Sequence, residues 1–598
     1  AVRSGDRVFL GSNVAVPLGL INALARRNEV LHDVELVHIL TAAPPEFTEK
    51  ISPNRFFHKA FFVGHDTRQA VQEGNADYIP IFLSEIPALF KTGEMPVDVA
   101  MVNLSMPDRH GFCSYGIGVD ICPAAVDSAR VVIGQINPNM PRTLGESFVH
   151  IDELDYVVYD EHPILELAFP KPDAISKKIG YLVSTLVEDG STLQMGIGKI
   201  PDAALDQLGD RKDLGVHTEM FSDGLLRLVK SGVVTNEKKG FKNGKIVTSF
   251  CMGTRELYDF VDDNPYVEFY PSDFTNSPLN IAKNNKMVSI NSAIEVDLSG
   301  QVCADSMGTQ IYSGIGGQVD FIRGAALSNG GKSILALPST AKGGTISRIK
   351  VILSPGAGVV TSRGDVYYVV TEYGIAYLHG KSVRERAIAL LSIAHPDFRQ
   401  SLYDEAIERG ILFKKHGSPF NKSTYPIQYE ADLNFDDGTR LKLRPILPTD
   451  VRLLQEFFYS HDIDTIYHRY FTIKESLPAD EALELATVDY KDTMALVLVQ
   501  KGADESRQFV GVVRYNRPPY SEYADMAIVV DPVVRGKGIG KVLLDKIMEV
   551  GRDNGLKGFR GVLQFHNEPM MRLLKQASEG KNSEVSLDDG VYTFQFDI

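Results

Sequence analysis

The segment INSAIEVDLSGQVCADSMGTQIYSGIGGQVDF, residues 290–321, combines the pattern of a buried strand with a carboxylate and a glycine cluster. Val288, Ile290 and Val296 belong to a short apolar run that Glu295 interrupts. This composition predicts a buried strand with polar groups near its end. Open α/β sheets place functional groups at such strand ends. The segment therefore predicts an α/β fold with chemistry at Glu295.

The glycine cluster that follows Glu295 includes Gly316 and Gly317. Glycine lets a backbone N–H group approach a ligand closely. A carboxylate nucleophile beside such donors, which would form an oxyanion hole, is the minimum equipment for covalent acyl transfer. The alternative interpretation is a structural glutamate, paired with Arg323 or Lys342, beside a glycine turn.

Length and composition limit the class of protein. A chain of 598 residues predicts three or four domains. The net charge of −15 argues against nucleic acid as a partner, and no apolar run reaches the roughly 18 residues that a membrane helix needs. The four cysteines lack CxxC spacing, the histidines lack metal-ligand spacing, and the N-terminal residues lack a signal-peptide pattern. We therefore expect a cytoplasmic protein with reduced thiols and no metal, acting on small molecules.

Five blocks of sequence recur in the same order, which predicts two homologous α/β halves. In the pair 102–113 and 290–303, the second half has the carboxylate Glu295 where the first half has the segment 106–109. We therefore expect the catalytic chemistry in the second half alone. The paired blocks are 5–11 and 189–196, 33–38 and 213–217, 62–64 and 251–253, 102–113 and 290–303, and 155–158 and 367–370.

Residues 1–415 resemble the acetyl-CoA hydrolase/transferase family of family I CoA-transferases, which includes acetate and 4-hydroxybutyrate CoA-transferases. The resemblance implies two CoA-transferase-like domains, residues 1–172 and 173–415, with the site between them, and a homodimer. The motifs that carry it are Gly74-Asn-Ala-Asp-Tyr-Ile-Pro80, Leu83-Ser-Glu-Ile-Pro87, Gly196-Ile-Gly-Lys-Ile-Pro-Asp202, His217-Thr-Glu219, Asn291-Ser-Ala-Ile-Glu-Val-Asp-Leu298, Gly314-Ile-Gly-Gly-Gln-Val-Asp-Phe321, Ser339-Thr-Ala-Lys-Gly-Gly344 and Val370-Thr-Glu-Tyr-Gly374.

By this resemblance Glu295 is the catalytic glutamate of an acyl-CoA:carboxylate CoA-transferase. The implied reaction is a ping-pong transfer from acetyl-CoA or a related short-chain acyl-CoA, through a glutamyl-CoA thioester, to an acceptor carboxylate. Gly316 and Gly317 match the oxyanion-stabilising glycine pair. An acyl-CoA hydrolase is the alternative, since water competes for the same intermediates.

The resemblance also implies contacts with coenzyme A. Ser313 lies at the entry to the glycine pair, and Ser272 to Asn276 match a CoA-contacting stretch. Lys342, flanked by two glycines, matches a position near CoA, where an exposed surface lysine is the alternative.

A third unit begins after a polar, turn-rich stretch that we interpret as a linker, residues 416–438. The strand pattern of 526–530 leads into Arg535-Gly536-Lys537-Gly538-Ile539-Gly540 and a helix with apolar residues at helical spacing. A glycine loop at a helix N-terminus is suited to pyrophosphate. The alternative is a plain tight turn.

Residues 439–598 resemble the α+β GNAT acetyltransferase fold, above all the GNAT domain of bacterial protein lysine acetyltransferases. This implies that Arg535, Gly536, Gly538, Ile539, Gly540 and the later Asn567 bind acetyl-CoA. Asp525 stands where those enzymes carry a catalytic glutamate and is the candidate base, one methylene shorter. A protein lysine is then a candidate acceptor. The other interpretations of the whole chain are a lysine acetyltransferase, an acetyl-CoA-sensing regulator or a binding scaffold.

Overall fold

The computed structural model describes residues 1–41, 55–65, 67–167, 171–412, 423–435, 437–472, 474–502, 507–564, 567–588 and 590–598. These residues form two compact units, unit 1 (1–386) and unit 2 (387–598).

The first half of unit 1 is a parallel sheet with the order β10-β7-β5-β1-β2-β3-β4 among the described residues. Its interior strand β5 is buried at every position, as expected for a largely apolar strand of a parallel sheet that is covered on both faces. The strands are β1 (Arg7–Leu10), β2 (Val34–His38), β3 (Phe56–Ala60), β4 (Ala76–Tyr78), β5 (Val99–Leu104), β6 (Phe112–Ser114), β7 (Val131–Ile136), β8 (Leu144–Gly145), β9 (Phe148–His150) and β10 (Tyr156–Tyr159). The helices span Leu18–Ala25, Arg68–Gln72, Ile86–Lys91 and Cys122–Ser128, with 3-10 turns at Leu83–Glu85 and Ile151–Glu153.

The second half of unit 1 contains a sheet with the order β12-β11-β17-β22-β26-β27, in which only the β26–β27 pair is antiparallel. Its strands begin with β11 (Thr192–Met195), β12 (Gly215–Val216), β13 (Met220–Phe221), β14 (Ile246–Thr248), β15 (Phe250–Cys251), β16 (Val267–Phe269), β17 (Met287–Ser292), β18 (Glu295–Asp297) and β19 (Val302–Cys303). They continue with β20 (Ser306–Met307), β21 (Gln310–Ile311), β22 (Lys332–Ala336), β23 (Thr340–Ala341), β24 (Ile346–Ser347), β25 (Ile349–Lys350), β26 (Tyr368–Thr371) and β27 (Gly374–Tyr377). The helices span Ala174–Ser184, Lys199–Leu205, Asp223–Lys230, Arg255–Val261, Ser272–Thr275, Pro278–Ala282, Gln318–Leu327 and Val383–Ser392.

The two halves share a strand order, which confirms the predicted internal repeat. The order β10-β7-β5-β1-β2 of the first sheet returns as β26-β22-β17-β11-β12 in the second. Four of the five repeated sequence blocks therefore occupy corresponding places in the two sheets. The exception is 251–253, which begins at the end of β15, a strand that pairs with β13 outside the six-stranded sheet. The carboxyl ends of the parallel strands gather at one edge of each sheet, where loops can meet.

The predicted strand around Glu295 is divided in the structure. Strand β17 ends at Ser292, and Glu295 opens the separate strand β18. Strand β18 pairs with β19 and β25 in a small sheet of its own. Glu295 is therefore not at the end of a strand of the six-stranded sheet.

Unit 2 is built on a sheet with the order β28-β29-β30-β31-β32-β33-β35-β34. Its strands are β28 (Ala431–Asn434), β29 (Arg440–Pro445), β30 (Thr493–Lys501), β31 (Arg507–Asn516), β32 (Tyr523–Val530), β33 (Gly558–Gln564), β34 (Ser583–Asp588) and β35 (Val591–Asp597). The helices span Pro396–Glu408, Val451–Tyr459, Ile463–Tyr470, Ala479–Ala486, Ile539–Asp553 and Glu568–Ala577, with 3-10 turns at Ile427–Tyr429, Pro448–Asp450 and Pro532–Val534.

The predicted linker, residues 416–438, lies partly outside the described residues, at 416–422 and 436. Within its described part, β28 pairs with β29. Ala431, Leu433 and Phe435 pack against the core of unit 2. Because these apolar side chains alternate along the strand, this part of the predicted linker forms an edge strand of the sheet.

Three further features complete the fold. No helix in the described ranges is long and apolar enough to cross a membrane. The same ranges contain no cluster of three or more His, Cys, Asp or Glu side chains placed to hold a metal ion. The four cysteines are buried and unpaired.

Candidate functional sites

Glu295 is a buried carboxylate whose two oxygens are both occupied. The backbone N–H of Ser354 donates to Oε1 at 2.7 Å, and the Ser354 hydroxyl donates to Oε2 at 2.8 Å. Among the described residues it forms no hydrogen bond with Gly316 or Gly317. Its predicted alternative partners are also elsewhere, since Arg323 pairs with Asp365 at 3.6 Å and Lys342 is exposed.

The carboxylate beside the glycine pair is that of Glu219. A Cβ atom built on Gly317 would lie 2.0 Å from Oε2 of Glu219, so only glycine fits at this position. Glu219 is partly exposed, and it follows β12 at the carboxyl end of a parallel strand. The backbone N–H of Gly317 lowers the pKa of this carboxyl group, against the effect of burial. The structure thus brings together Gly317 and Glu219, which are far apart in sequence.

Burial raises the pKa of Glu219 to about 7. Asn276 acts against this shift, because its amide nitrogen donates to Oε2 of Glu219 at 2.9 Å. The nearby charge of Asp320 raises the pKa further. A carboxylate with such a pKa is weakly solvated, so its ionised form is a stronger nucleophile than a surface glutamate.

Asp320 is a second carboxyl group in this site, and it is buried. It accepts hydrogen bonds from the Ser84 backbone N–H at 3.2 Å and the Ser84 hydroxyl at 2.8 Å. Burial raises the pKa of Asp320 to about 7, and the bonds from Ser84 and Asn276 oppose that rise. Asn276 therefore links the two carboxyl groups, while its own Oδ1 has no described partner.

The backbone around Glu219 is held rigidly. Its carbonyl oxygen accepts from the N–H groups of Ser249 and Phe250 at 3.0 and 3.1 Å. The preceding His217 is fully buried between the carbonyl of Thr275 and the side chain of Asn284. Burial lowers the pKa of His217 to about 3, so it stays neutral. A neutral, fully hydrogen-bonded histidine of this kind has a structural role.

The glycine loop is anchored by the first half of unit 1. The Leu83 N–H donates to the carbonyl of Gly316 at 3.1 Å, and the Ile315 N–H donates to the Tyr78 hydroxyl at 3.1 Å. The Val63 N–H donates to the carbonyl of Ser313 at 3.2 Å. Glu219 therefore lies where the two halves meet.

The predicted CoA contacts fall in different environments. Ser272 is fully buried, with its hydroxyl donating to the carbonyl of Leu83 at 3.0 Å. The Ser313 hydroxyl donates to the carbonyl of Ala304 at 2.8 Å. Both hydroxyls therefore brace the backbone of the site. Lys342 is exposed at the tip of the β23–β24 hairpin.

In unit 2, the glycine loop offers free backbone donors. Gly538 adopts a φ of +80° and caps the helix Ile539–Asp553, which exposes its first N–H groups. The amides of residues 536–540 find no acceptor among the described residues. Arg535 braces the loop, since its Nη2 donates to the Thr465 hydroxyl at 2.8 Å. Such a loop is suited to a pyrophosphate.

Two parallel strands of unit 2 separate beside this loop. Strands β32 and β33 pair only over residues 523–525 and 558–560. Beyond that point they diverge around a cavity of 1090 Å³, which residues 535–536, 538–541 and Asn567 also line. Asn567 caps the helix Glu568–Ala577 by accepting from the Met570 N–H at 3.3 Å. The cavity therefore joins the free amides of the loop to the open edges of the two strands.

Asp525, the candidate base, lines the same cavity at the point where the strands part. Its Oδ1 accepts from Nε of Arg560 at 2.7 Å. Both side chains are about half exposed, at 50% and 43%. The ion pair must therefore open, or a water must intervene, before Asp525 can take a proton from an acceptor.

Comparison with known proteins decides the family. Residues 1–167 match the acetyl-CoA hydrolase/transferase N-terminal domain, and residues 253–406 match the C-terminal domain. The 4-hydroxybutyrate coenzyme A transferase of Clostridium kluyveri is 52% identical over 68% of this chain and 95% of its own length. The chain belongs to the acetyl-CoA hydrolase/transferase family.

A second relative and a solved structure are also similar to this chain. The succinyl-CoA:acetate/propanoyl-CoA:succinate CoA transferase of Fasciola hepatica is 47% identical over 68% of this chain and 86% of its own length. The crystal structure of RipA from Yersinia pestis matches with a TM-score of 0.65 and 36% identity, over 69% of this chain and 96% of that one. Residues 460–577 separately match the acetyltransferase (GNAT) family, so the chain is a fusion of the two.

Sequence reasoning misses Glu219 as a site residue of this acetyl-CoA hydrolase/transferase chain. Glu219 lies in the His217-Thr218-Glu219 motif that carries the resemblance, but the sequence favours Glu295 because it shares a segment with Gly316 and Gly317. The available signal is the buried block 213–217, which predicts a strand ending just before Glu219. Asp320 and Ser84 also lie in motifs that carry the resemblance, but the sequence does not show that they meet, because only tertiary packing brings them together.

Proposed function

We propose that unit 1 is an acyl-CoA:carboxylate CoA-transferase for short-chain acyl groups, with Glu219 as its nucleophile. The observation that carries the proposal is the position of the partly exposed Glu219 carboxylate against Gly317. The names of the family members, which are CoA transferases, support the reaction class. We do not propose Glu295 for this role, because Ser354 occupies both of its oxygens.

The reaction proceeds in two covalent steps. The ionised Glu219 carboxylate attacks the thioester carbonyl of an acyl-CoA, and the carbon–sulfur bond breaks to give an acyl-glutamyl anhydride and CoA thiolate. The thiolate then attacks the glutamyl carbonyl, which releases the free carboxylate and leaves a glutamyl-CoA thioester. An acceptor carboxylate reverses both steps, so atoms and charge balance over the cycle.

Neighbouring groups support both steps. The N–H of Gly317 lowers the pKa of Glu219, so it is a donor for the negative charge that the tetrahedral intermediate on the glutamyl carbon carries. The Asn276 amide nitrogen holds Oε2 in place. Asp320, held by Ser84, keeps Asn276 from turning away. Gly316 lets the backbone of the loop pass close to Phe62. A Cβ atom at this position would lie 3.3 Å from the Phe62 ring.

Peptide mass analysis after incubation with acetyl-CoA tests the assignment. Three proteins are compared: wild type, Glu219→Gln and Glu295→Gln. We expect a CoA adduct on the peptide that contains Glu219 in wild type and in Glu295→Gln, and none in Glu219→Gln. An adduct on the peptide of Glu295 that persists in Glu219→Gln would overturn the proposal.

Hydrolysis of acyl-CoA is the alternative outcome for the same intermediate. Adding acetate or 4-hydroxybutyrate to butyryl-CoA distinguishes the two, since transfer produces a new acyl-CoA while hydrolysis produces free CoA. We expect the new acyl-CoA to be the main product. Free CoA at an undiminished rate in the presence of acceptor would assign a hydrolase instead.

Unit 2 is proposed to bind acetyl-CoA through the loop 535–540 and to transfer its acetyl group to an amine. The free amides of the loop and the cavity between β32 and β33 support this. An acetyl-CoA-sensing role without transfer is the alternative. Asp525→Asn distinguishes the two: loss of acetyl transfer with intact acetyl-CoA binding identifies a catalytic base, whereas a sensor shows no transfer in wild type either.

The homodimer, the cytoplasmic location and the boundaries at residues 172 and 415 stay predictions.

A further inference from the structure

Two arginines of unit 2, Arg469 and Arg514, are partly buried without an acidic partner. Neither forms an ion pair within the described part of the chain. The Nη2 of Arg514 donates to the carbonyl of Leu485 at 2.9 Å. The guanidinium of Arg469 lies 4.9 Å from the centre of the Tyr470 ring. Both positive charges are therefore only partly compensated.

The two guanidinium groups face the same interior space. Both line the 1090 Å³ cavity that holds the glycine loop, and both line a smaller cavity of 50 Å³ beside the helix Ile463–Tyr470. Burial and the neighbouring charge of Arg469 lower the pKa of Arg514 to about 10. Two like charges placed together in partial burial oppose folding unless an anion joins them.

Arg514 lies on the face of the sheet that carries Asp525, and Arg469 lines the same cavities from the helix Ile463–Tyr470. Arg514 of β31 is paired with Ala527 of β32, and Asn516 is paired with Asp525. Paired residues of antiparallel strands project to the same face, and residues two apart on one strand share it. Arg514 therefore neighbours the place where the acetyl thioester would end, on the side open to an acceptor.

We propose that unit 2 acetylates a small amine that carries a carboxylate or phosphate group, which Arg469 and Arg514 bind. The proposal rests on acetyl-CoA binding by unit 2, and it names the class of acceptor. Guanidinium groups bind such oxyanions in pairs of parallel hydrogen bonds. A lysine side chain without an acidic neighbour would bring a further positive charge to this site and would be repelled.

The transfer step is balanced by the two substrates alone. The amine nitrogen forms a bond to the acetyl carbonyl carbon, and the carbon–sulfur bond of the thioester breaks. One proton of the amine passes to the departing CoA thiolate, directly or by way of Asp525. The products are an N-acetyl compound that keeps its anionic group, and CoA.

Matched pairs of amines test the proposal on the full chain carrying Glu219→Gln, which removes CoA transfer by unit 1. Glucosamine 6-phosphate is compared with glucosamine, which lacks the phosphate. Glutamate and phenylalanine, which carry carboxylates, are each compared with phenylalaninamide, which carries none. A lysine peptide without acidic residues represents a protein acceptor. Acetylated products are measured by mass. We expect the anionic amines to react with a KM at least tenfold below that of the uncharged ones, the phosphate and carboxylate arms showing which oxyanion is preferred.

Arginine variants supply the second half of the test. Arg469→Met and Arg514→Met are expected to raise KM for the anionic amine at least tenfold with a smaller change in kcat, and Arg514→Met to raise the Tm. Arg452→Met, in an exposed ion pair with Glu456, is the matched control and changes neither. Equal use of charged and uncharged amines, or arginine variants with wild-type KM, would overturn the proposal.

If no amine in the panel reacts, direct binding decides. Inorganic phosphate is titrated calorimetrically into the CoA-bound protein and into the Arg469→Met, Arg514→Met double variant. Loss of phosphate binding in the double variant supports the anion site, and equal binding rejects it. The proposed binding of acetyl-CoA by the loop 535–540 is tested separately with the loop variant Gly538→Ala. If this variant binds CoA with unchanged affinity, the loop is not the binding site.

Discussion

Gly317 and Glu219 are in such close contact that a Cβ atom on Gly317 would lie 2.0 Å from Oε2 of the glutamate. The glycine belongs to the loop before the helix Gln318–Leu327, and the glutamate follows β12. Real Cβ atoms do not approach an oxygen so closely, so this pair defines the candidate site more sharply than any single residue.

Gly317→Ala is expected to reduce CoA transfer at least 100-fold, because the added methyl group must displace the Glu219 carboxylate. Gly209→Ala is the matched control, since a Cβ at Gly209 meets no atom within 4 Å. Steady-state assays of both variants, with Tm measurements to verify folding, provide the check. Wild-type activity in Gly317→Ala would show that CoA transfer does not depend on the position of the Glu219 carboxylate beside Gly317.

The pH dependence of CoA transfer should report the ionisation of Glu219. Only the carboxylate is nucleophilic, and burial raises its pKa to about 7. We therefore expect kcat/KM to rise with pH and to level off above an apparent pKa of about 7. Asp320→Asn should lower this apparent pKa, because the charge of Asp320 raises it. Asp259→Asn, in an exposed pair with Arg255, should leave it unchanged.

The same pKa shift predicts how stability depends on pH. The folded-state pKa of Glu219, about 7, exceeds the ordinary value of 4.5, so the folded state holds the proton more tightly. Stability is therefore lost as pH rises from 4.5 to 7, and ionisation opposes folding above that range. Glu219→Gln should raise the Tm at pH 8 and have little effect at pH 4. An equal change at both values would contradict the shifted pKa.

Ser354→Ala is predicted to lower stability by about 2 kcal/mol, because it removes the hydroxyl donor to the buried carboxylate of Glu295. The activity of each folded molecule should not change. Ser362→Ala removes an exposed hydroxyl bond to Asp365 and serves as the comparison, with a loss of about 0.5 kcal/mol or less. Thermal unfolding followed by calorimetry measures both. A loss of turnover in Ser354→Ala at full folding would make Glu295 a catalytic candidate again.

Acetyl-CoA binding by unit 2 should depend on Gly538 and not on a glycine of equal backbone strain elsewhere. Gly538 and Gly580 have φ angles of +80° and +76°, and a Cβ atom added to either would meet no atom within 4 Å. Alanine at either site costs about 1 kcal/mol of stability. Only Gly538→Ala should weaken acetyl-CoA binding, at least tenfold, in calorimetric titrations on the Glu219→Gln background. Equal weakening in both variants would mean that strain alone is responsible.

The amino-acid sequence by itself determined the fold class, the internal repeat and the fusion. Buried strands such as β5 are largely apolar, and glycine turns after β1 and β11 recur at matching positions, so local pattern was sufficient for both halves. The glycine loop of unit 2 could also be predicted from the sequence, because the loop and the helix that follows it are contiguous in the chain. These features depend on neighbours in sequence, which periodicity and turn chemistry report directly.

The tertiary structure alone decided which carboxylate meets the glycine pair. Glu295 is nearer to Gly317 along the chain, but β18 leaves the six-stranded sheet and Ser354 caps the carboxylate. Glu219 reaches the glycine because β12 is the edge strand of that sheet and its carboxyl end faces the loop. Strand order is fixed by the packing of the whole unit, and sequence spacing carries no record of it.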